Sequence, residues 1–321
     1  MVYQQTFPVT GPQSAPYYID RRKRKPMYDR VDSIIALLPQ RLRKAMLELP
    51  ANTLQSIREI RLRSHRFAML DCANQTIFIE ECGVISPSDI AAIMSLISDF
   101  SVNSIKSELA RGFVTLENAV RVGVVGEAVV KNGVIEVQKN ISGINFRIPH
   151  ECIGCAKEVF SDIFTGRKVR NTLLVSPPMM GKTTMLRDIA RLLGDVMNVA
   201  IIDERSEIAA TSHGIAQMDV GRRTDVLDCC PKPEGISMAI RSMSPSVIIT
   251  DEIGPQEDGF ALCDAARSGV SFVATMHGAN LADAKRRSCS KMLFDEGLIE
   301  RVILLGNSRG VGTVEQILRL T

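Results

Sequence analysis

The spacing of hydrophobic residues changes character about halfway along the 321-residue chain. Between residues 32 and 49, apolar positions recur every three or four residues, which predicts a helical face that Pro39 breaks or kinks. Residues 58–63 alternate between charged and apolar side chains, as in a half-buried strand, and residues 76–80 form another candidate strand. The first half therefore mixes helical and strand signals.

Two local signals add detail to this first half. Ser86 and Asp89 flank a proline at the position where a capping box would begin a helix. Asn132-Gly133 separates the apolar runs 121–130 and 134–137, and both residues tolerate positive φ, so a β-hairpin is expected there. The segment up to about residue 150 is thus predicted to be a mixed α+β domain without an evident catalytic constellation.

After residue 165 the pattern becomes a regular alternation of short apolar runs and amphipathic helices. The predicted strands are 173–175, 199–202, 247–250, 272–275 and 302–305, with helices over 185–193 and 236–243. Apolar strands separated by such helices imply a parallel sheet covered on both faces. We therefore predict an α/β fold with three parts: a disordered extension (1–26), an N-terminal α+β domain (27–155) and a nucleotide-binding domain (156–321).

Composition narrows the class of protein. The net charge of +3 and the aromatic content of 5% argue against a general affinity for nucleic acid. The basic run Arg21–Lys25 is interpreted as part of a solvated, mobile arm. No apolar stretch approaches a membrane span and no secretory signal is evident, so a cytoplasmic location is expected. Cys152 and Cys155 lack partners for a four-ligand zinc site and are interpreted as ordinary thiols.

Residues 176–184 carry the clearest chemical signal. Gly181-Lys182-Thr183 forms the core of a phosphate-binding loop (Walker A) between a strand and a helix, where backbone amides and the helix N-terminus favour phosphate. Lys182 would reach the terminal phosphates of ATP and Thr183 would ligate Mg²⁺. The predicted nucleotide-binding residues are Ser176, Pro177, Pro178, Met179, Met180, Gly181, Lys182, Thr183 and Thr184. Ser176 replaces a glycine, so some strain is expected in this turn.

Polar residues also follow three other predicted strands. Asp251 is the expected Mg²⁺ ligand and Glu252 the residue that polarises the attacking water, on a strand expected to neighbour that of the loop. Glu204 and Glu207 follow another strand and are candidate catalytic acids, although Arg205 could simply pair with them. His277 follows a further strand and is a candidate sensor of the γ-phosphate.

Four arginines could neutralise charge in the transition state, from the same subunit or from a neighbouring one. They are Arg222, Arg223, Arg241 and Arg267. Sequence alone does not choose among them.

Taken together, these elements resemble the secretion-ATPase branch of RecA-like P-loop NTPases, in which an acidic box, a Walker B strand and a histidine box follow the phosphate loop. The stretch from Ile240-Arg241 through Asp251-Glu252 and Ala265–Gly269 to Thr275–His277 follows that pattern. Within that branch the chain is similar to the stage III AA family of sporulation proteins. The motifs carrying this similarity are Glu59–Arg63, Arg121–Gly126, Ser142–Arg147, Asp203–Ile208, Asp219–Asp228, Pro231-Lys232, Glu234-Gly235 and Arg241–Pro245.

The resemblance implies a cytoplasmic ATPase that uses ATP and Mg²⁺ on the mother-cell side of a channel to the forespore. It also implies a hexameric ring bound to membrane channel proteins of the sporulation apparatus. Any attachment to the membrane would be made through those partner proteins, and no nucleic-acid partner is expected. Arg147 would contact nucleotide from the N-terminal side. The family's loop usually reads Gly-Pro-Pro-Gly-x-Gly-Lys-Thr-Thr, so Ser176 and Met179 depart from it.

Two alternatives stay open at this point. The departures in the loop would suit a scaffold that binds nucleotide with little turnover. A RecA-like nucleic-acid motor is the other alternative, and the low charge and few aromatic residues argue against it.

Overall fold

The computed structural model describes residues 28–72, 75–98, 109, 112–116, 119–131, 133–149 and 151–320. The predicted extension 1–26, with its basic run Arg21–Lys25, lies outside these residues, as does Asn132 of the predicted turn. Within the described ranges, no helix combines the length and the apolar character that crossing a bilayer requires.

The described residues of the N-terminal part include an antiparallel sheet and the helices that pack against it. Its elements are α1 (Tyr28–Leu37), α2 (Gln40–Leu47), α3 (Ala51–Ser56), β1 (Ile57–Arg63), β2 (Ala68–Cys72), β3 (Thr76–Ile79), α4 (Pro87–Ile97), β4 (Phe113–Thr115), β5 (Arg121–Lys131) and β6 (Val134–Arg147). The strand order is β3-β2-β1-β6-β5-β4. Apolar residues of the helices and of the strands share one hydrophobic core.

The local signals of this part are confirmed. Pro39 separates α1 from α2 and caps the second helix. At the start of α4, the amide of Asp89 donates to Ser86 Oγ at 3.1 Å and the amide of Ser86 donates back to Asp89 Oδ2 at 2.7 Å, forming the capping box. The hairpin is also present, but β6 runs to Arg147 because its last residues pair with both β5 and β1. The sequence predicted this strand only over residues 134–137, because the polar residues around Asn140 interrupt the apolar pattern.

The C-terminal part is built around a seven-stranded sheet. Its elements are α5 (Lys157–Ile163), β7 (Thr172–Ser176), α6 (Lys182–Gly194), β8 (Val199–Asp203), β9 (Thr224–Asp228), α7 (Lys232–Ser242), β10 (Val247–Thr250), α8 (Gln256–Arg267), β11 (Ser271–His277), α9 (Leu281–Arg286), α10 (Ser288–Asp295), β12 (Arg301–Gly306) and β13 (Thr313–Arg319). The order is β13-β12-β7-β11-β10-β8-β9, and only β13 pairs antiparallel with its neighbour.

Alternate residues of the central strands enter two separate hydrophobic clusters. Leu174 and Ile249 pack with α5 and α6, whereas Val175 and Ile248 pack with α7, α8 and α10. Both faces of the sheet are therefore covered, which confirms the predicted α/β architecture and explains why its strands are apolar throughout.

The structure corrects one expectation about the sheet. The loop strand β7 and the strand β10 that precedes Asp251 were expected to be neighbours, but β11 lies between them and pairs with both. Sequence spacing does not reveal this order, because a crossover helix can carry the chain past an adjacent position. As a result, His277 at the end of β11 lies between the loop and the acids.

Candidate functional site

The loop between β7 and α6 has the geometry of an anion cradle. Gly181 caps α6 with φ +78°, a conformation that favours glycine. A Cβ atom at this position would lie 3.2 Å from the Cα of Gly312 in the β12–β13 hairpin, so side chains are disfavoured for a second reason. The amides that begin α6 are therefore left facing the loop, where the helix dipole favours a phosphate.

The strain in this loop lies at Met179 rather than at Ser176. Met179 has φ +61° and its side chain is 91% exposed, so no packing compensates for the left-handed backbone. Ser176 is instead the last residue of β7, is buried, and pairs in register with His277 of β11. The expected strain in this turn is therefore present, but it lies at the left-handed Met179 and not at Ser176.

Lys182 folds back over the loop that it follows. Its Nζ lies 3.1 Å from the carbonyl oxygen of Ser176, 3.2 Å from Ser176 Oγ and 3.0 Å from the carbonyl oxygen of Pro177. The side chain is buried, and burial lowers the pKa of this ammonium group below its ordinary value. The ammonium group is thus held against the loop by uncharged oxygen acceptors, which an anion could replace.

His277 connects Lys182 to Glu252. Its Nδ1 lies 3.0 Å from Lys182 Nζ and its Nε2 lies 3.0 Å from Glu252 Oε1. Because a charged lysine can only donate, Nδ1 is the acceptor, and the ring hydrogen is on Nε2 and directed at the carboxylate. One imidazole therefore orders both the lysine of the loop and the acid predicted to act on water.

Glu252 is held at its backbone and at both carboxylate oxygens. Its φ of +24° is unusual for a residue other than glycine, and its amide donates to Thr275 Oγ1 at 2.7 Å. While Oε1 accepts from His277, Oε2 lies 2.8 Å from Nη1 of Arg205. Arg205 thus pairs with this residue rather than with the acids beside it in the sequence.

Asp251 is a buried carboxylate with an unused oxygen. Its Oδ1 accepts no hydrogen bond, and the nearest cation is Lys232, whose Nζ lies 3.9 Å away. Burial, and next the nearby charge of Asp203, raise the pKa of Asp251 to about 7. Such an orphaned carboxylate oxygen fits a cation ligand.

The residues present fit Mg²⁺ bound together with a nucleotide. Among the described residues, no three His, Cys, Asp or Glu side chains are grouped so as to hold a metal on their own. Mg²⁺ usually takes only one or two protein ligands and completes its shell with water and phosphate. Asp251 and the hydroxyl of Thr183, in the first turn of α6, match that requirement in chemical type.

The two other predicted acids each pair with a residue to which the sequence analysis gave no role at the site. Glu204 forms an ion pair through Oε2 with the Nζ of the buried Lys232. Glu207 Oε1 lies 3.4 Å from Nη1 of Arg121, which begins β5 in the N-terminal sheet. Arg121 also donates to the carbonyl oxygen of Arg205. The signals for Arg121 in the sequence are its place at the start of an apolar run and its place in the motif Arg121–Gly126.

The four candidate arginine fingers lie away from the loop of their own subunit. Arg222 pairs with Asp195, and Arg223 donates its amide to Gly194, both at the far end of α6, about 20 Å from the loop at 1.5 Å per helical residue. Arg241 bonds Ser237 and Arg267 pairs with Glu296 on surface helices. The exposed Arg147 ends β6. A role for any of these at a neighbouring subunit's nucleotide stays a prediction.

The Cys152–Cys155 segment is attached to α6 by a carboxylate. Buried Asp188 accepts from the amides of Gly154 and Ala156 at 2.9 and 2.8 Å. The thiol of Cys155 faces the carbonyl oxygen of Thr184 at 3.8 Å, and burial raises its pKa to about 12. This thiol is therefore protonated at neutral pH.

Comparison of this chain with known proteins identifies a matching family. The model of the family described as sporulation stage III, protein AA matches residues 28–320. Stage III sporulation protein AA of Bacillus subtilis strain 168 is 37% identical over 293 residues, covering 89% of this chain and 94% of that protein. An uncharacterized protein, ycf45 of Cyanidium caldarium, is 30% identical over 170 residues, covering 51% of this chain and 49% of that protein.

Solved structures agree on the fold. The pilus retraction motor PilT with bound ADP has a TM-score of 0.58 at 14% identity, covering 79% of this chain and 75% of PilT. The ATPase DotB of Legionella pneumophila has a TM-score of 0.53 at 15% identity, covering 77% of this chain and 72% of DotB. The fold is that of RecA-like secretion ATPases. With its sequence matched almost from end to end, the chain belongs to the sporulation stage III protein AA family.

Proposed function

We propose that this chain is an Mg²⁺-dependent ATPase that acts as a motor of a channel between mother cell and forespore. The observation that carries the proposal is the unbroken line of polar contacts from Lys182 through His277 to Glu252. It joins the residue expected at the phosphates to the residue expected at the attacking water, across three strands that end at one edge of the sheet.

Each residue of the line has a defined task in hydrolysis. The amides that begin α6 and the Nζ of Lys182 would bind the phosphates, after the loop carbonyls release that ammonium group. Thr183 and Asp251 would hold Mg²⁺, which when bound neutralises charge on the phosphate oxygens. Glu252 would orient and polarise a water, and His277 would keep its carboxylate aimed at the loop.

The motor role rests on the family and on the fold. Proteins of the same fold include a pilus retraction motor, and the family is named for a stage of sporulation. We propose a homo-oligomeric ring, a hexamer, that binds membrane channel proteins from the cytoplasmic side. We also propose that residues 27–155 and 156–321 are separate domains, since each contains its own sheet and its own hydrophobic core.

Phosphate release from ATP by the purified protein, with and without Mg²⁺, tests the proposal. Lys182→Ala should lose both nucleotide affinity and turnover, whereas Glu252→Gln should keep affinity and lose turnover by about 100-fold or more. Glu127→Gln, which changes an exposed pair with Lys139 on the β5–β6 hairpin, is the matched control and should behave as wild type. Turnover of wild type no greater than that of Lys182→Ala would refute an ATPase.

A nucleotide-binding scaffold with little turnover is a second candidate. The observation that favours it is the left-handed Met179, which strains the loop whose carbonyl oxygens already hold Lys182. Nucleotide affinity that survives in a protein without measurable turnover would support the scaffold.

A further inference from the structure

Arg121 of the N-terminal sheet contacts the C-terminal part close to Glu252. Arg121 begins β5, where it is opposite Thr115 of β4 and Arg147 of β6, so its backbone is paired on both sides. Its guanidinium lies 4.3 Å from the centre of the Phe113 ring. The strand pairing fixes the backbone of Arg121 and the ring of Phe113 restricts its guanidinium. The side chain therefore has little freedom to follow a contact partner that moves.

Arg121 touches a short segment of the C-terminal part, residues 204–207. It donates to the carbonyl oxygen of Arg205 and pairs with the carboxylate of Glu207 at 3.4 Å. Ser206, between them, has φ +55°, so the segment makes a strained turn. The strain makes the position of this turn dependent on the contacts that hold it.

Contacts within the C-terminal part hold both ends of this segment, and at its first residue Glu204 pairs with the buried Lys232. Buried Asp203 accepts from the amides of Glu207, Ile208 and Ala209 at 2.7 to 2.9 Å. Arg187 donates to the carbonyl oxygens of Glu207 and Ile208, both at 2.7 Å. These bonds hold the chain from residue 207 onward, whereas the carbonyl of Arg205 is held by Arg121.

Arg205 belongs to this turn and contacts the carboxylate of Glu252, so a shift of the turn would also move the partner of that carboxylate. Its side chain is 55% exposed and its Nη1 lies 2.8 Å from Glu252 Oε2. An ion pair at such an exposed site contributes little by itself and depends on where its backbone places it. His277 orients the other oxygen, so the direction of the carboxylate depends on both neighbours.

We propose that Arg121 is a positioning residue for Glu252 and acts through Arg205. By holding the turn at residues 204–207, the N-terminal sheet keeps the Arg205 guanidinium on the carboxylate, and the readiness of Glu252 depends on the contact between the two sheets. This inference rests on the proposed ATPase function. It gives the N-terminal sheet a role in the chemical step without contact to the nucleotide.

Kinetics of single and double variants test the inference. Arg121→Ala and Arg205→Ala should each lower kcat about tenfold, with nucleotide affinity unchanged within about twofold, because orientation of the base is lost and the loop is not. The double variant should be no slower than the slower single variant, since both changes break one connection. Arg121→Lys should recover part of the loss.

Arg319→Ala is the matched control. Like Arg121, Arg319 is an arginine paired with a carboxylate of the C-terminal part, here Asp162 at 2.7 Å, but its side chain is exposed. Its removal should leave kcat as in wild type, which separates loss of positioning from loss of an arbitrary surface ion pair.

Three results would overturn the inference: additive losses in the double variant, a kcat that rises, or a nucleotide affinity that falls in Arg121→Ala. Amide hydrogen exchange without nucleotide separates it from the proposed function. Exchange over residues 204–206 and 251–253 should be faster in Arg121→Ala than in Arg319→Ala, even if ATP is not hydrolysed at all. Equal exchange would refute the connection, whereas absent turnover with faster exchange would refute only the ATPase.

Discussion

The Nζ of Lys182 lies 3.0 Å from the Nδ1 of His277. This contact joins a loop lysine to a histidine on the neighbouring strand, and it fixes the tautomer that directs Nε2–H at Glu252.

Replacing His277 by asparagine should lower kcat while leaving nucleotide affinity nearly unchanged. The shorter side chain cannot span from Lys182 to Glu252, whereas the lysine keeps its acceptors on Ser176 and Pro177. We expect a loss of about 10- to 100-fold in kcat, typical of disturbed acid–base groups. His213→Asn, at an exposed position, is the control. A drop in affinity comparable to that of Lys182→Ala would show that His277 serves binding instead.

Substitutions at Met179 should report the backbone strain of the loop. The side chain is 91% exposed, so a change there removes little buried surface. Met179→Asn should raise the free energy of unfolding and Met179→Val should lower it, each by about 0.5–1 kcal/mol, because asparagine tolerates positive φ and β-branched residues do not. Chemical denaturation measures both. The reverse order of the two variants would show that φ +61° is not the controlling feature.

Asp251 should make the protein without magnesium and nucleotide less stable as the pH rises. Its pKa is raised from 3.8 to about 7, so the folded state holds a proton that the unfolded state releases. The stability from this group is complete below about pH 4, falls as the pH rises, and is lost above about pH 7, by roughly 4 kcal/mol in total. Urea denaturation from pH 4.5 to 7.5 should show this slope in wild type. Asp251→Asn should remove it, and an unchanged slope would assign it to other groups.

Removing the carboxylate of Asp188 should be strongly destabilising. Asp188→Ala leaves the half-buried amide of Gly154 and the buried amide of Ala156 unpaired, together with the Nε of Arg191 that donates to Asp188 at 2.8 Å. We expect a loss of about 3 kcal/mol.

The matched control for this change is Asp264→Ala, which breaks an exposed pair with Arg267 at 3.5 Å and should cost less than about 0.5 kcal/mol. Equal melting temperatures for the two variants would contradict the role assigned to Asp188.

The local elements could be predicted because their causes are local. The capping box at Ser86, the break at Pro39 and the position of the loop around Gly181 between a strand and a helix each depend on a few adjacent residues, and all three are confirmed. The apolar strands likewise revealed a covered parallel sheet. The position of β11 between β7 and β10 could not be predicted, because strand order depends on which way each crossover turns.

The residues that surround the candidate site were harder to predict from the sequence. Lys232 and Arg121 come from distant parts of the chain, and only the folded structure brings them to Glu204 and Glu207. The location of the candidate arginines could not be predicted for a related reason: Arg222, for example, pairs with Asp195 at the end of α6 that lies away from the loop. Pairing partners of charges are set by tertiary structure.

In the proposed ATPase, the interposed strand β11 would link nucleotide binding to hydrolysis. A single strand end touches the cation that would sense the phosphates and the carboxylate that would prepare water. Any displacement of β11 relative to its two neighbours would alter both contacts at once. In the proposed motor, nucleotide binding at the loop and preparation of the attacking water would then occur together, so that ATP would not be hydrolysed between steps.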